Sequence, residues 1–357
     1  MRLISVLLAL LALAACERAK KAEPAAPAIE VHEVAAADGY GAPDDVVNAV
    51  AFWSHPSVNF QSLLIATTDA GLKAFSIESG EEIGSAATPA STVSVFYLGS
   101  GAKAEGYAIA SGDGAYSLYA IANDAASLAP LAVTGPAPGA DAFCVSGGFL
   151  YEAGNDRLDA RDIAILTGGA VISGARKIAD APGIAACHVD DRSGDIVTLS
   201  KDGAIKRVDP KTGESFGLAF INGGAATASA LFLMTAPEPA NAPGGAIAVL
   251  DGESGVISLF DLVDGHALGA VRIKSTFDLD AVAAAKTIAA GYGNYGGVYR
   301  DGALAVVTAG DGAPIRLAPW NGVLDALKLP LGENVDPRAP QPAAETERVI
   351  DIELEQP

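Results

Sequence analysis

Two pairs of carboxylates are the groups best suited to hold a hard cation: Asp190-Asp191, and Asp278 with Asp280 in Phe277-Asp278-Leu279-Asp280. A hard divalent cation such as calcium needs about six to eight converging oxygens, so either pair would be one part of a site. Six further acids, Asp69, Asp113, Asp156, Asp202, Asp251 and Asp311, stand in Gly, Asn and Asp turns. There an Asp side chain caps its own backbone, and turn chemistry accounts for them. His55 and His188 lack a His or Cys partner at zinc spacing and read as structural. Neither a nucleophile elbow, a P-loop nor a dinucleotide fingerprint occurs in a strand-to-helix context. Cys144 and Cys187 fit no metal motif and read as two buried apolar thiols rather than a bridge.

The remaining cysteine sets the compartment. Met1-Arg2, the apolar run Leu3 to Ala15 and then Cys16 make a secretory signal, too short for a membrane span. Leu13-Ala14-Ala15-Cys16 resembles the lipobox of bacterial lipoproteins, which implies cleavage after residue 15 and acylation of Cys16. Glu17 rather than Asp follows the cysteine, which favours the outer membrane. The expected partition is a signal peptide over 1–15, a lipidated flexible tether with a short strand over 16–39, a folded body over 40–338 and an acidic tail over 339–357.

Composition and spacing give the body its class. A net charge of −20 excludes sequence-independent nucleic-acid binding, because no cationic surface is available to displace phosphate counterions. With 40 Gly and 20 Pro among 357 residues, long helices are excluded and short strands with tight turns are favoured. Strand, turn, strand recurs from Leu63, Tyr107, Phe149, Ile196, Ile247 and Leu304. Six units of this kind suit blades of four short strands, so the expectation is an all-β, six-bladed β-propeller. Alternation in Ile29 to Val34 and in Val349 to Leu354 suggests that strands from both termini help close the ring. A short helix is expected over Gly322 to Leu327. Phe143 and Cys187 take equivalent places in successive blade-starting strands, which puts Cys144 on the opposite face and keeps the thiols apart.

Several segments resemble the β-propeller phytase family. They are Ala51-Phe52-Trp53-Ser54-His55-Pro56, Leu64 to Thr68 with Gly71-Leu72, Asp190-Asp191 with Gly194, Leu317-Ala318-Pro319-Trp320 and Val335-Asp336-Pro337-Arg338. The resemblance covers roughly residues 40 to 338 and implies a six-bladed propeller that uses calcium, held by carboxylates, to hydrolyse phytate. It also implies that Asp190, Asp191, Asp278 and Asp280 are the acids retained from calcium sites. Elsewhere the family's pattern is replaced. Its carboxylates before the first Trp read Asn48-Ala49, its lysine reads Asp69-Ala70, and its Asn-Arg reads Gly112-Asp113. Its Lys-Glu reads Gly154-Asn155, its Glu-Gly-Met reads Ala185-Ala186-Cys187, its Glu-Glu-Asp reads Ser200-Lys201-Asp202, and its Asp-x-Glu-Gly reads Thr227 to Ala230.

Three functions compete for these residues: a non-catalytic envelope scaffold binding a ligand or an envelope protein, a calcium-dependent phytase or related phosphomonoesterase with a rearranged site, and another hydrolase using the central channel. The replaced positions favour the first, a pseudoenzyme anchored to the membrane through Cys16 and facing the periplasm or the cell exterior. One acyl chain binds membranes marginally and several bind them stably, so Cys16→Ala is expected to move the protein from the membrane fraction to the soluble fraction, read by fractionation.

Overall fold

Strands such as Leu63–Thr68 and Ala303–Thr308 are buried along their whole length, so both of their faces need apolar neighbours. Short antiparallel meanders packed face to face meet that need. The computed structural model describes residues 30–123, 127–139, 142–221, 226–235, 244–310 and 312–340. Cys16 and the leader, the alternating segment 349–354 and Asp311 lie outside the described residues.

Two N-terminal strands, β1 (Val31–Ala35) and β2 (Asp38–Tyr40), precede the meanders. The first meander is β3 (Val47–Trp53), β4 (Leu63–Thr68), β5 (Gly71–Ser76) and β6 (Glu82–Ala86). The second is β7 (Thr92–Leu98), β8 (Glu105–Gly112), β9 (Ala115–Ala122) and β10 (Ser127–Thr134). The third contains β11 (Ala142–Ser146), β12 (Phe149–Gly154), β13 (Arg157–Leu166), β14 (Gly169–Ile172) and β15 (Arg176–Asp180). Here the long β13 pairs with both β14 and β15, and β14 runs parallel beside β10, joining two meanders in one nine-stranded sheet. The fourth is β16 (Ile184–Val189), β17 (Ile196–Ser200), β18 (Ala204–Val208) and β19 (Ser215–Phe220). The fifth is β20 (Ala226–Thr235), β21 (Gly245–Asp251), β22 (Val256–Asp261) and β23 (Ala267–Lys274), with β1 parallel on its outer edge. The last is β24 (Ala285–Gly291), β25 (Ala303–Thr308) and β26 (Ile315–Pro319), and β2 supplies its fourth strand. Helix α1 (Trp320–Leu327) and the short β27 (Glu333–Asn334), paired with β20, follow.

The protein is therefore all-β apart from one α-helix among the described residues, as the Gly and Pro content requires. Each first strand touches the next, from β3 through β7, β11, β16 and β20 to β24, and β24 touches β3. Apolar clusters fill the space between each consecutive pair of meanders, including the pair formed by the last and the first. Packing there is close: a Cβ on Gly106 would lie 2.1 Å from the indole nitrogen of the fully buried Trp53. Helix α1 begins two residues before the expected Gly322, because Trp320 is buried and stacked on Phe232 with ring centroids 3.8 Å apart.

Cys144 and Cys187 form a disulfide, with Cα atoms 5.5 Å apart, and the expectation of two free thiols is corrected. The reason is a bulge. Strand β16 carries one extra residue between Ile184 and Ala186, whereas β11 pairs without interruption. An inserted residue reverses the alternation of the residues after it, so counting from the strand starts puts Cys187 in the wrong phase. Both cysteines face the apolar interface of the third and fourth meanders. Closing a loop across a sequence separation of 43 stabilises the fold by roughly 4 kcal/mol on the chain-entropy account. Unreduced peptide mapping should recover the Cys144–Cys187 link, and replacing both cysteines by Ala should lower stability by about 2–4 kcal/mol in denaturant titration.

Candidate functional site

The first strands of all six meanders face a shared cavity of about 540 Å³. Residues alternate along a strand, and each first strand gives side chains to the inter-sheet cores on both of its sides, Val95 to one and Phe96 to the other on β7, while residues of it also border the cavity. Much of the wall is small or apolar, including Ala49, Ala51, Val93, Val95, Ala228, Ala230 and Ala289. Against it stand few groups capable of chemistry. The charged lining residues are Asp191, Lys286 and Arg338, and the titratable neutral ones include His188 and Tyr97, Tyr292 and Tyr295.

Asp191 follows the end of β16 and reaches groups far away in the chain. Tyr292 donates its phenol to Asp191 Oδ2 at 2.6 Å, and the Ser146 hydroxyl donates to Oδ1. Burial raises the Asp191 pKa and the neighbouring Asp190 raises it further, while the two hydroxyl donors oppose the shift. Tyr292 is pushed well above the usual phenol range by burial and by the Asp191 charge, so it serves as a donor and not as a base. Tyr295 stacks on Phe52 with centroids 5.2 Å apart, and the electrostatic neighbours of Tyr292 include Tyr295 and Tyr97. Asp191 and this aromatic group thus adjoin one another.

His188, on β16, lies farther along the same wall. Its Nε2 and the Ser229 hydroxyl of β20 are hydrogen-bonded at 2.9 Å. Burial brings the imidazole pKa down to about 4, partly offset by the backbone of Ser229. The ring is neutral at pH 7. Lys286 stands where β24 is bulged, between Ala285 and Thr287, and its Nζ reaches the Val47 carbonyl at 3.5 Å.

The four carboxylates singled out in the sequence have different surroundings. Asp190 is buried and paired with Arg192, by Nε at 2.9 Å and Nη2 at 2.8 Å, with an Arg207 nitrogen at 3.7 Å. Its neighbour Asp191 faces the cavity with different partners, so adjacency in sequence does not make a shared ligand set. Asp278 and Asp280 are exposed after β23, where Asp280 is an electrostatic neighbour of Arg316. Among the described residues, a group of three acids or histidines with converging ligand atoms occurs at Asp261, Asp264 and His266. That group is a turn: Asp261 accepts the Val263 and Asp264 amides, and Asp264 accepts that of His266.

The other acids behave as turn residues. Asp251 accepts the amides of Glu253 and Ser254, Asp202 accepts that of Ala204, and Asp113 and Asp156 take left-handed conformations. Asp69 accepts the Asn48 amide side chain at 3.0 Å. His55 is structural: its Nδ1 accepts the Ser57 and Val58 amides, and its Nε2 bonds the Asn123 carbonyl at 2.6 Å. Arg338 is structural too. Its guanidinium donates to the carbonyls of Ser54, Ala104 and Gly101 and lies over the Tyr97 ring, 4.9 Å from the centroid. Sequence reading missed Ser146 and Tyr292 and met Ser229 only as a replaced position of the resembling family; closure brings Ser146 and Tyr292 to Asp191 and Ser229 to His188.

No family model matches the chain, and no curated protein matches it. Solved structures do match. A protein of unknown function from Bacteroides thetaiotaomicron is similar at 12% identity and a TM-score of 0.47, over 81% of this chain and 74% of that one. The structure of U3-55K is similar at 12% identity and a TM-score of 0.45, over 80% of this chain and 81% of that one. Neither bears on what this chain does.

The lowered pKa of His188 has a sign that can be measured. Its folded pKa lies below the ordinary value of 6.5, so between pH 6.5 and about 4 the unfolded chain binds a proton that the folded chain does not. Stability is then unaffected above pH 7 and falls as pH drops through that window. At pH 5 the loss is roughly 1–2 kcal/mol. Thermal melts of the wild type and of His188→Gln should converge with acidification, because the variant lacks this penalty.

Proposed function

We propose that this chain is a lipid-tethered, six-bladed β-propeller of phytase-like type whose central cavity binds a ligand without turning it over. The blade count is supported by the circular succession of first-strand contacts, by the apolar cluster between each neighbouring pair of meanders, and by β2 completing the last sheet. Chain ends that share one sheet close a propeller without an exposed edge. The tether rests on the Cys16 motif.

One observation carries the functional reading, namely the charge content of the cavity wall. Phosphoryl transfer from a polyanion needs several cations or metal ions aimed at the transferring group, and needs carboxylates to hold those metals. The described lining offers one carboxylate, Asp191, with Lys286 toward one part and Arg338 committed to backbone carbonyls. Asp190 is committed to Arg192. What remains is a partly open chamber whose wall is shared by polar and apolar surface and carries few charged groups, a form that suits a small molecule better than a polyanion in transfer.

The purified protein, made soluble by Cys16→Ala, should release no phosphate from phytate above background with excess calcium at neutral pH. Phosphate release that follows the protein through purification, stops with chelator and weakens with Asp280→Ala would instead support a calcium-dependent phosphatase with a rearranged site.

A further inference from the structure

The charges around the end of β16 balance in a way that leaves one acid over. Two guanidinium groups lie there. Arg192 binds Asp190, and Arg207 lies 3.7 Å from Asp190 and 3.6 Å from Asp195. Two cations are thus matched by two acids, Asp190 and Asp195. Asp191 has hydroxyl partners alone, and among the described residues no cation pairs with it. Both hydroxyls donate, which fixes the carboxylate in place as an acceptor facing the cavity. A buried or half-buried carboxylate without a counter-charge is costly, and groups of this kind in a cleft cluster at functional sites.

The surfaces beside Asp191 are aromatic. Tyr292 touches it directly, and Tyr295, Phe52 and Phe143 line the same cavity. Aromatic faces attract cations by the negative side of the ring quadrupole and also accept alkyl groups. Arg338 is already held against one such ring, that of Tyr97, with its donors spent on carbonyl groups and with Asp336 as an electrostatic neighbour. The net charge of −20 concentrates cations near the protein and depletes anions.

Resting on the reading of the cavity as a binding site, we propose that its Asp191 end takes a small organic cation. An ammonium group meets the Asp191 carboxylate, and its alkyl substituents lie against Tyr292 and Phe52, the latter backed by the buried Tyr295. A volume of about 540 Å³ admits a molecule of small-metabolite size. Recognition then comes from charge and ring faces and not from a metal.

Choline is a suitable probe, because 3,3-dimethylbutan-1-ol has its shape without its charge. Titration calorimetry on the Cys16→Ala protein should show saturable choline binding, with the neutral alcohol weaker by at least about tenfold. Asp191→Asn keeps the size, and one of the two hydroxyls can turn to accept from the new amide nitrogen; it should weaken choline about tenfold in a protein that still melts cooperatively. Phe52→Leu should weaken choline several-fold and leave the alcohol unchanged, and it decides the matter if Asp191→Asn does not fold. No choline binding, equal binding of the two probes, or choline binding unchanged in the variants would overturn the proposal. Phytate hydrolysis is measured on the same preparation. Phosphate release sinks the non-catalytic reading whatever choline does, and absence of both activities sinks the cation site alone.

Discussion

Pairing of β2 with β26 is the constraint on which the rest depends. The sheets have apolar residues on both faces, so each requires a neighbour on either side, and a linear stack would leave its two end sheets bare. Joining the last meander to the first removes both bare ends. The chain makes that join with its own N-terminus: Asp38 opposes Leu317, Tyr40 opposes Ile315, and the Ala37 amide binds the Leu317 carbonyl at 2.8 Å. Side chains hold the same strand. Tyr299 donates to Asp38 at 2.5 Å, and Tyr40 donates to the Ile77 carbonyl of the first meander at 2.6 Å, linking both sides of the junction. Tyr299 and Tyr40 are raised beyond the ordinary phenol range by burial first and by Asp38 second, so both remain donors at any physiological pH.

Closure also creates the cavity. When β3 through β24 meet in a circle, residues of each first strand border a central space that their small side chains leave unfilled. The bulges matter here. Strands β3, β16, β20 and β24 each carry an extra residue near their start, at Asn48, Ala185, Thr227 and Lys286. A bulge increases local twist and redirects a side chain, and these four sit at corresponding places around the wall. The cavity's polar character is therefore set by a few positions on short strands, and those positions can change without disturbing the inter-sheet cores that hold the circle together.

Legibility in the sequence follows the same division. Second and third strands are pressed between neighbours on both faces, so they read as apolar runs ended by Gly and Asp turns, and Leu63, Tyr107, Phe149 and Ile196 all fall in such strands. First strands are harder to see. They mix core residues with cavity residues such as Ser94, His188 and Ser229, and four of them break their own alternation with a bulge. That is why simple alternation assigns the cysteines to opposite faces although they meet. Outer strands such as β6 and β19 are mostly exposed and carry little pattern. The contacts of Asp191 could not be read at all: Ser146 is 45 residues away and Tyr292 is 101 residues away, and neither spacing has any periodicity behind it.

Most residues of the segments that resemble the phytase family have structural roles, the exception being Asp191, which lines the cavity. Trp53 and Trp320 are fully buried, Val335 packs in the cluster between the fourth and fifth meanders, and Arg338 is 3% exposed with its guanidinium spent on carbonyl groups. Through Arg338 the segment after β27 is fastened to the first and second meanders, since Ser54 follows β3 and Gly101 and Ala104 precede β8. Removing such a group would leave buried carbonyls without donors, a cost that any sequence keeping this fold must avoid. The positions where the resemblance fails, by contrast, are turn tips such as Asp69-Ala70, Asp113 and Asn155, and cavity positions such as Ala185 and Ser229. Packing constrains the first set and leaves the second free. A likeness held mostly by the first set says little about chemistry, which has to be sought in what the cavity presents, Asp191 with its two hydroxyl donors beside aromatic rings.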